Sequence, residues 1–239
     1  MHCRTAGAHR RNRKGSSFAV LSNPEFLAAG TAIAALCEAT GADVREVGRA
    51  IGADNRIGGT FLQAGPGFGG SCFQNNILNL VVLCRHDGLH AVAATWEQVV
   101  ALNTWQQQRI ARLVVNRLFG TMTGKRMGVL GFAYGLRPTA STRATPTTPR
   151  VAAGFSAGVS PAIRICSDLL EEGAVLQVAD PKVSEHQIAA DLGVAPGSGE
   201  GSWHRVADAD QAASGAAALL LLTGWPQFAA LDWAELAPL

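Results

Sequence analysis

The chain has 239 residues, of which 48% are hydrophobic and 16% charged, and its formal net charge is +2. That length holds one large domain or two small ones, each with its own apolar core. The small net charge gives no argument for a nucleic-acid or membrane partner, and the longest apolar run, Ala216 to Leu222, is far shorter than the ~20 residues that cross a bilayer.

The cysteines bear on the cellular compartment, whereas the N-terminus leaves it open. There are five cysteines, an odd number at irregular spacing: Cys3, Cys37, Cys72, Cys84 and Cys166. This pattern matches neither a disulfide framework nor a zinc site, and it favours a reducing, cytoplasmic compartment. Residues 1–17 are basic and contain no acidic residue, so a targeting leader and a segment without function both remain open there.

Two short helices are predicted before residue 53. The first spans Ala34 to Thr40. The second begins at Asp43, which forms a capping-box pattern with Glu46. Its apolar stripe at helical spacing consists of Val44, Val47 and Ile51.

A glycine-rich loop, Gly65 to Gly70, then leads through Ser71 into a third helix. The apolar residues of that helix fall at i, i+3, i+4 and i+7: Ile77, Leu80, Val81 and Cys84. Glycines in such a loop allow positive φ and a close approach of the backbone to a ligand. Cys72 opens the helix among unpaired N–H groups at the positive end of the dipole, which favours the thiolate. Spacing alone leaves two roles for Cys72 open, a nucleophile and a buried core residue.

A long fourth helix is predicted over Leu89 to Phe119, a stretch without glycine or proline. Its predicted packed face consists of Val92, Trp96, Val99, Val100 and Asn103, continued by Ile110, Val114 and Leu118. Apolar residues spread so widely indicate packing on more than one neighbour, with a second subunit among the candidates. An ordinary long core helix is the alternative.

Beyond Gly124 the pattern is that of parallel α/β structure. Three strands are predicted: Arg126 to Tyr134, Ala174 to Ala179 and Ala216 to Leu222. Between the first two lies a helix with Ser160 as N-cap, Pro161 as first residue and Gly173 just past its end. In parallel sheets ligands bind outside the carboxyl ends of the strands, here near Phe132 to Leu136 and Asp180.

Two long loops are predicted in this half of the chain. Arg137 to Gly158 is rich in Thr, Ala and Pro, and Gly193 to Ser202 is rich in Gly and Ser. The first is long for a connection inside a compact domain, so part of it is expected to be disordered.

Several motifs resemble UDP-glucose 6-dehydrogenases of the eukaryotic type. Four of them are LSNPEFLAAGTAI (21–33), LCEATGADV (36–44), RIGGTFLQAGPGFGGSCFQNN (56–76) and GKRMGVLGFAYG (124–135). Two more, ADPKV (179–183) and LLTGWPQF (221–228), agree in order and direction. Because distinct motifs recur in the same order over most of the chain after Ser17, the chain is identified as a member of this family.

The resemblance implies a reaction. The family oxidises UDP-glucose to UDP-glucuronate with two molecules of NAD. A hydride leaves C6 to give an aldehyde, a cysteine thiolate adds to the aldehyde, a second hydride leaves to give a thioester, and water hydrolyses the thioester. By its position in the motif Cys72 is the nucleophile, and Glu25 matches a glutamate tied to the water and base chemistry.

The resemblance also implies binding residues. UDP-glucose is expected to contact Glu25, Phe26, Leu27, Ala28, Ala29, Arg56, Phe68, Gly69 and Tyr134. NAD is expected to contact Cys72, Phe73, Gln74, Asn75 and Arg143. No metal ion is implied.

The chain departs from the family's pattern at charged positions. Where the family has Lys-Asp after Cys-Phe-Gln, this chain has Asn75 and Asn76, and an asparagine cannot take up a proton as an aspartate does. Other charged residues of the family are replaced by Ala29, Gln63 and the pair Tyr134-Gly135. A family segment with an essential lysine is absent between Ile33 and Ala34.

The expected architecture follows from these matches. The fold class is α/β, with a helical dimerisation core followed by a Rossmann-like parallel UDP-binding domain. Residues 1–33 are expected to be the basic leader plus a remnant of an NAD-binding domain that is otherwise missing. Residues 34–119 form the helical core, through which the chain is expected to form a homo-oligomer, and residues 120–239 form the UDP-binding domain.

The expected function is NAD-dependent UDP-glucose 6-dehydrogenase at the level of the family, with this polypeptide alone inactive. Loss of one acid–base group costs about 10²–10⁴-fold in rate, and several are replaced here. Two alternatives remain open. One is a pseudoenzyme that at most binds a UDP-sugar or pairs with an intact homologue, and the other is a fragment without a stable fold.

Overall fold

The computed structural model describes residues 10–11, 17–18, 25–59, 62, 64–69, 71–133, 160–197 and 201–236. The chain divides into two compact units, Met1–Gly65 and Pro66–Leu239. None of the helices within these described ranges is long and apolar enough to cross a membrane. The predicted loop Arg137 to Gly158 lies outside them.

The first unit contains a short antiparallel strand pair and two helices: β1 (Arg10–Arg11), β2 (Ser17–Phe18), α1 (Glu25–Thr40) and α2 (Val44–Gly52). The first helix begins at Glu25 rather than at the predicted Ala34, and it runs unbroken through Ile33 and Ala34. The reason is composition, because the alanine-rich segment offsets the cost of the single Gly30.

Asp43 caps α2 as the sequence predicts. Its Oδ1 accepts a hydrogen bond from the Arg45 N–H at 2.7 Å. The other half of the predicted capping box takes a different partner, since Glu46 Oε1 lies 3.9 Å from Arg49 Nη2 on the exposed side of the helix. The predicted apolar stripe of α2 is half-buried at Val44, Val47 and Ile51.

Two long helices open the second unit, α3 (Ser71–His86) and α4 (His90–Arg117). The predicted face of α3 is confirmed, because Ile77, Val81 and Cys84 are buried and Leu80 is half-buried. Val81 and Cys84 pack against Ala93 of α4.

The predicted packed face of α4 is right only in part. Val92 is 43% exposed, whereas the next residue, Ala93, is buried. The small alanine allows α3 to approach closely, and this sets the rotation of the helix. Val99 and Asn103 are buried as predicted, and Gln106 joins them.

The rest of the second unit is a parallel α/β domain. Its strands are β3 (Arg126–Leu130), β4 (Val175–Ala179), β5 (Ser202–Arg205) and β6 (Ala218–Leu221), in the spatial order β5-β4-β3-β6. Its helices are α5 (Pro161–Glu171), α6 (Glu185–Leu192), α7 (Ala209–Ala213), α8 (Pro226–Ala229) and α9 (Trp233–Leu236). The chain moves from β3 to one edge of the sheet and returns to the other side of β3 as β6, so the order reverses between β3 and β6. The predicted α/β fold class is confirmed.

Burial explains why these strands form where they do. Met127, Val129 and Leu130 of β3 and Leu176 and Val178 of β4 are all fully buried. Such near-continuous apolar runs are typical of parallel strands covered on both faces. The strands are shorter than predicted, and β3 ends where Gly131 adopts a φ of +88°.

The start and end of α5 agree with the sequence. Ser160 Oγ accepts a hydrogen bond from the Ala162 N–H at 3.2 Å, Pro161 is the first helical residue, and Gly173 lies past the end with a φ of +81°. The fourth strand, β5, was missed. It begins at Ser202, the last residue of a predicted loop, and it contains a single fully buried side chain, Trp203. A strand of four residues is too short for an alternating pattern to stand out.

Candidate functional site

The glycine loop lies against the middle of α4. The Phe68 N–H donates to Asn103 Oδ1 at 2.8 Å, and Asn103 Nδ2 donates to the Phe68 carbonyl oxygen at 3.1 Å. Gly67 has a φ of +113°, and a Cβ built on it would lie 2.5 Å from Asn103 Oδ1. Glycine is therefore required here for two reasons, its backbone conformation and the space that the amide oxygen fills.

The loop passes from Phe68 and the buried Gly69 into α3, of which Cys72 is the second residue. The backbone of Cys72 is thus at a helix start, as the sequence predicts. Gln74 is half-buried and Asn75 is exposed in the same first turns of α3. The side chains of Cys72 and Phe73 lie outside what the structure describes.

Arg56, expected at the sugar nucleotide, belongs to the first unit. Its guanidinium is 86% exposed and pairs with the Asp54 carboxylate, with Nε 3.0 Å from Oδ1. The pKa of Asp54 is lowered mainly by hydrogen bonds from the Arg56 side chain and, to a smaller extent, by one from the Arg56 N–H. The Asp54 carboxylate in turn raises the pKa of Arg56. Among the described atoms, Arg56 is thus held by a neighbour two residues away.

For the remaining predicted site residues, the structure describes the backbone alone or nothing. Glu25, Phe26, Leu27, Ala28 and Ala29 are the first five residues of α1, and their side chains lie outside the described part of the chain. Tyr134 and Arg143 also lie outside it. The structure therefore places Phe68, Gly69, Gln74 and Asn75 in one loop-and-helix segment of the second unit, and their roles stay predictions.

At the carboxyl ends of the strands a buried carboxylate collects backbone N–H groups. Asp180 follows β4 and is 4% exposed. Its Oδ2 accepts hydrogen bonds from the Phe132 N–H at 2.7 Å, the Ala133 N–H at 2.9 Å and Trp225 Nε1 at 3.2 Å; its Oδ1 accepts from the N–H groups of Lys182 at 2.7 Å and Val183 at 3.1 Å. Asp180 thus joins the turn after β3 to the turn after β4 and to the segment after β6.

Thr223 completes this edge of the sheet. Its Oγ1 donates to the Ala133 carbonyl oxygen at 2.7 Å. A Cβ on Gly131 would lie 2.5 Å from Thr223 Cβ and 2.8 Å from its backbone nitrogen. The two segments that follow β3 and β6 are therefore in close contact at the point where the strand order reverses, which is where open α/β sheets bind ligands.

This edge does not fit NAD. In dinucleotide-binding sheets an acidic residue after the second strand accepts hydrogen bonds from a ribose hydroxyl. Asp180 has that position, but it is buried and its two oxygens already accept five hydrogen bonds. The described part of the turn after β3, residues 131–133, has the single glycine Gly131, and the sequence that continues it does not match the G-x-G-x-x-G fingerprint. Over the described ranges there is also no group of three metal-ligating side chains.

Asn103 is a residue whose role the sequence alone does not reveal. The helical spacing predicts it on the packed face of α4 among apolar residues and gives it no role of its own. The signal that could have identified it is that an amide on an otherwise apolar stripe needs a buried partner. The partner is 35 residues away in sequence, so periodicity within α4 could not reveal it.

Comparisons with known proteins identify the family. The central-domain model of the UDP-glucose/GDP-mannose dehydrogenase family matches residues 27–105, and its UDP-binding-domain model matches residues 159–239. The chain belongs to this family. The motif-based resemblance is thereby confirmed, and the α/β domain β3–α9 falls largely within the match to the UDP-binding domain.

Curated relatives point to one branch of the family. UDP-glucose 6-dehydrogenase 2 of Oryza sativa subsp. japonica is 42% identical over 219 residues, which is 84% of this chain and 41% of the relative. UDP-glucose 6-dehydrogenase of Gallus gallus is 43% identical over 205 residues, which is 84% of this chain and 38% of the relative. The chain thus spans about two fifths of the length of these relatives.

Solved structures of dehydrogenases share this fold. A UDP-glucose dehydrogenase from the hyperthermophilic archaeon Pyrobaculum islandicum has a TM-score of 0.67 and 26% identity, covering 87% of this chain and 42% of that one. An NDP-N-acetyl-D-galactosaminuronic acid dehydrogenase from Methanosarcina mazei Go1 has a TM-score of 0.58 at 20% identity, covering 88% and 41%, and shows the fold alone.

Proposed function

We propose that this chain carries the thiol-bearing and UDP-sugar-binding parts of a UDP-glucose 6-dehydrogenase. The observation that carries the proposal is the glycine loop held on α4, which leads directly into α3 with Cys72 as its second residue. The family matches on both sides of this segment, to a central domain and to a UDP-binding domain, support the same assignment.

The UDP group is assigned to the carboxyl edge of the sheet. Here the strand order reverses between β3 and β6, and Asp180 and Thr223 hold the turns that border this point. Arg56, Phe68, Gly69, Tyr134 and residues 25–29 stay candidates for substrate contact from the motif match alone.

Cys72 is proposed to act after UDP-glucose has been oxidised to the C6 aldehyde. Its thiolate donates an electron pair to the aldehyde carbon, a C–S bond forms, and the carbonyl oxygen takes up a proton to give a thiohemiacetal. Oxidation of that adduct gives a thioester, and water displaces the thiolate to release the carboxylate. Glu25 is assigned to the water and base chemistry. Thiolates suit this role because they are strong nucleophiles and tolerable leaving groups.

The two oxidations need a hydride acceptor, and the resemblance implies NAD. The described sheet edge does not fit NAD, so none of its residues is assigned to the cofactor. Phe73, Gln74, Asn75 and Arg143 stay candidates from the motif match alone.

The isolated polypeptide is proposed to bind UDP-glucose without turning it over, because Asn75, Asn76 and Ala29 stand where the family has charged residues. The purified chain is mixed with UDP-glucose and NAD, and NADH absorbance is followed beside isothermal calorimetry of UDP-glucose binding. Heat of binding without NADH is the expected result. Turnover at the rate of an intact family member would contradict the inactivity.

The main alternative is a chain that only pairs with an intact homologue, and calorimetry addresses it. No heat with UDP-glucose, together with co-purification of an intact family member, would favour that alternative over the proposal. A cooperative thermal unfolding transition would exclude an unfolded fragment.

A homo-oligomer through the central helices is proposed as well. Three large apolar side chains on α3, Leu78, Val82 and Leu83, are 42%, 63% and 60% exposed in the single chain. Such a cluster is typical of an interface. We expect sedimentation to give a mass above 24.9 kDa, and Val82→Glu to shift it to that of one chain. An unchanged mass in Val82→Glu would count against these helices.

A cytoplasmic location is also proposed. The described cysteines Cys37, Cys84 and Cys166 are all free thiols, which suits a reducing compartment. A fluorescent fusion of the full chain should distribute through the cytoplasm, and accumulation in an organelle would contradict this.

A further inference from the structure

A side-chain amide closes on the backbone of the glycine loop. Asn103 accepts a hydrogen bond from the Phe68 N–H and donates one to the Phe68 carbonyl oxygen. Both bonds fall on one residue, so the amide does what a neighbouring strand would do for these two backbone groups. We call this pair of hydrogen bonds the amide clamp.

The helical side of the clamp is buried. Asn103 lies near the middle of α4, which runs from His90 to Arg117, and it is 7% exposed. Little water competes at such a site, so breaking the pair leaves buried polar groups unsatisfied. One orientation of the amide satisfies both bonds, since the oxygen must face the N–H and the nitrogen must face the carbonyl.

The loop side of the clamp is shaped to receive the amide. A Cβ on Gly67 would lie 2.5 Å from Asn103 Oδ1 and 3.5 Å from Gln107 Cγ. Only a residue without a side chain lets Asn103 come this close. The fit of Gly67 is an observation independent of the hydrogen bonds, and it points to the same contact.

The clamp is close to Cys72 along the chain. Residues 69–71 separate it from Phe68, and α3 begins at Ser71. Two of those three residues are Gly69 and Gly70, which lose more conformational freedom on ordering than any other residue type. The glycines by themselves would leave the start of α3 free to move. Fixing Phe68 shortens the free segment and so restricts the first turn of α3.

We propose that Asn103 is a positioning residue for Cys72, acting through the glycine loop and the first turn of α3. It is assigned no contact with substrate. The proposal rests on the proposed function, in which Cys72 is the nucleophile, because a thiol at an ordered helix start benefits from the dipole and a thiol on a frayed turn does not.

The test compares Asn103→Ala with a matched control, Thr104→Val, in the full chain. Thr104 is the next residue of α4, is half-buried, and donates to the Val100 carbonyl oxygen at 3.1 Å within the helix. Hydrogen exchange of peptides that contain Phe68 reports the clamp. The pH profile of Cys72 alkylation, read by mass spectrometry, reports the thiol. Alkylation of the buried Cys37, Cys84 and Cys166 reports global unfolding.

In Asn103→Ala we expect exchange at Phe68 to be about tenfold faster, the ratio for loss of ~1.4 kcal/mol of protection. The midpoint of the Cys72 alkylation profile should move up toward the ~8.5 of a free thiol, because the first turn of α3 is no longer held. The three buried cysteines should keep their rates, and Thr104→Val should match the unsubstituted protein in both measurements.

If Asn103→Ala fails to fold, a second variant, Asn103→Asp, tests the same proposal, because it retains the size of the side chain. The ionised carboxylate accepts from the Phe68 N–H but repels the Phe68 carbonyl oxygen, whereas the protonated carboxyl donates to that oxygen and restores both bonds. Burial raises the pKa of the introduced carboxyl. Exchange at Phe68, corrected for its intrinsic pH dependence, should therefore resemble Asn103→Ala at neutral pH and recover in acid.

The outcomes separate the two proposals. If Asn103→Ala leaves either the Phe68 exchange or the Cys72 profile equal to that of Thr104→Val, the positioning role is overturned. A Cys72 profile that is already that of a free thiol in the unsubstituted chain, beside a Phe68 exchange that responds to Asn103→Ala, overturns it too. In that last case the fault lies with the proposed role of Cys72 and the clamp itself stands.

Discussion

Two glycine-containing turns in the second unit are each fastened by one buried polar side chain, and the two side chains differ. The turn after β3 is held by the carboxylate of Asp180, and the loop before α3 is held by the amide of Asn103. Both residues are at most 7% exposed, and both act over a long sequence separation.

The difference follows from what each turn offers. At the carboxyl ends of parallel strands the chain presents free N–H groups, and a carboxylate can only accept, so Asp180 satisfies five donors at once. The loop presents one N–H and one C=O of Phe68, and an amide can both accept and donate. Exchanging the two side-chain types should therefore fail at both positions, for opposite reasons.

The largest expected effect is at Asp180. In Asp180→Asn the size is kept, but an NH₂ group must face N–H donors on one side. We expect the free energy of unfolding to fall by at least ~3 kcal/mol, since several charge-assisted hydrogen bonds are lost in a buried site. Urea unfolding followed by circular dichroism measures it.

Asp208→Ala is the matched control for Asp180→Asn. Asp208 belongs to the same α/β domain and caps α7, where its Oδ1 accepts one hydrogen bond from the Gln211 N–H at 2.9 Å. Its loss should cost about 1 kcal/mol, the usual value for an N-cap. If Asp180→Asn lowers the free energy of unfolding no more than Asp208→Ala does, the five hydrogen bonds of Asp180 together stabilise the fold no more than one N-cap does.

Much of this second unit could be predicted from sequence, and the reason is that its signals are local. Ser160, Pro161 and Gly173 marked α5 correctly, and the spacing of Ile77, Val81 and Cys84 gave the buried face of α3. These features depend on residues within one or two turns of each other, where propensity and periodicity carry the information.

The missed features depend on distant contacts or on short segments. Asn103 reads as one more residue on a packed helix until its partner Phe68 is known, and β5 has a single fully buried residue, Trp203. The strand pattern predicts Asp180 near the ligand-binding end of the sheet, but its five donors come from three separate segments that only the fold brings together. The helix start leaves two roles for Cys72 open, a nucleophile and a core residue, and the family motifs favour the nucleophile.

A second prediction compares the two glycines. In Gly131→Ala the new Cβ meets the Thr223 backbone nitrogen at 2.8 Å as well as its side chain, and the φ of +88° is unfavourable. We expect a loss of about 2–3 kcal/mol in urea unfolding. In Gly67→Ala the Cβ meets Asn103 Oδ1, which can move aside only if the amide gives up its hydrogen bonds to Phe68, so about 1–2 kcal/mol is expected.

The glycine comparison has its own controls. Gly193→Ala changes a residue with a φ of +68° and nothing within 4 Å of the new Cβ, so it should show the backbone term alone, about 1 kcal/mol. In an Asn103→Ala background the cost of Gly67→Ala should shrink, because the atom it meets is gone. An undiminished cost there would mean that the loop, rather than the amide, rejects the side chain.

The smallest expected effect concerns a carboxylate with too few donors. Asp191 on α6 accepts one hydrogen bond, at Oδ1 from Gln187 Nε2 at 3.0 Å, while its buried Oδ2 has no partner among the described atoms. Burial raises the pKa of this carboxyl, and the bond from Gln187 offsets part of the rise. The folded state therefore holds the proton more tightly than the unfolded state, so ionisation at neutral pH costs stability that is regained as pH falls through the raised pKa.

Because Asp191 is only half-buried, we expect Asp191→Asn to be more stable by no more than ~0.5 kcal/mol at pH ~7 and equal to the unsubstituted chain in acid. Urea unfolding of both proteins at the two pH values measures the difference, and a destabilised Asp191→Asn at neutral pH would show that Asp191, like Asp180, has donors enough.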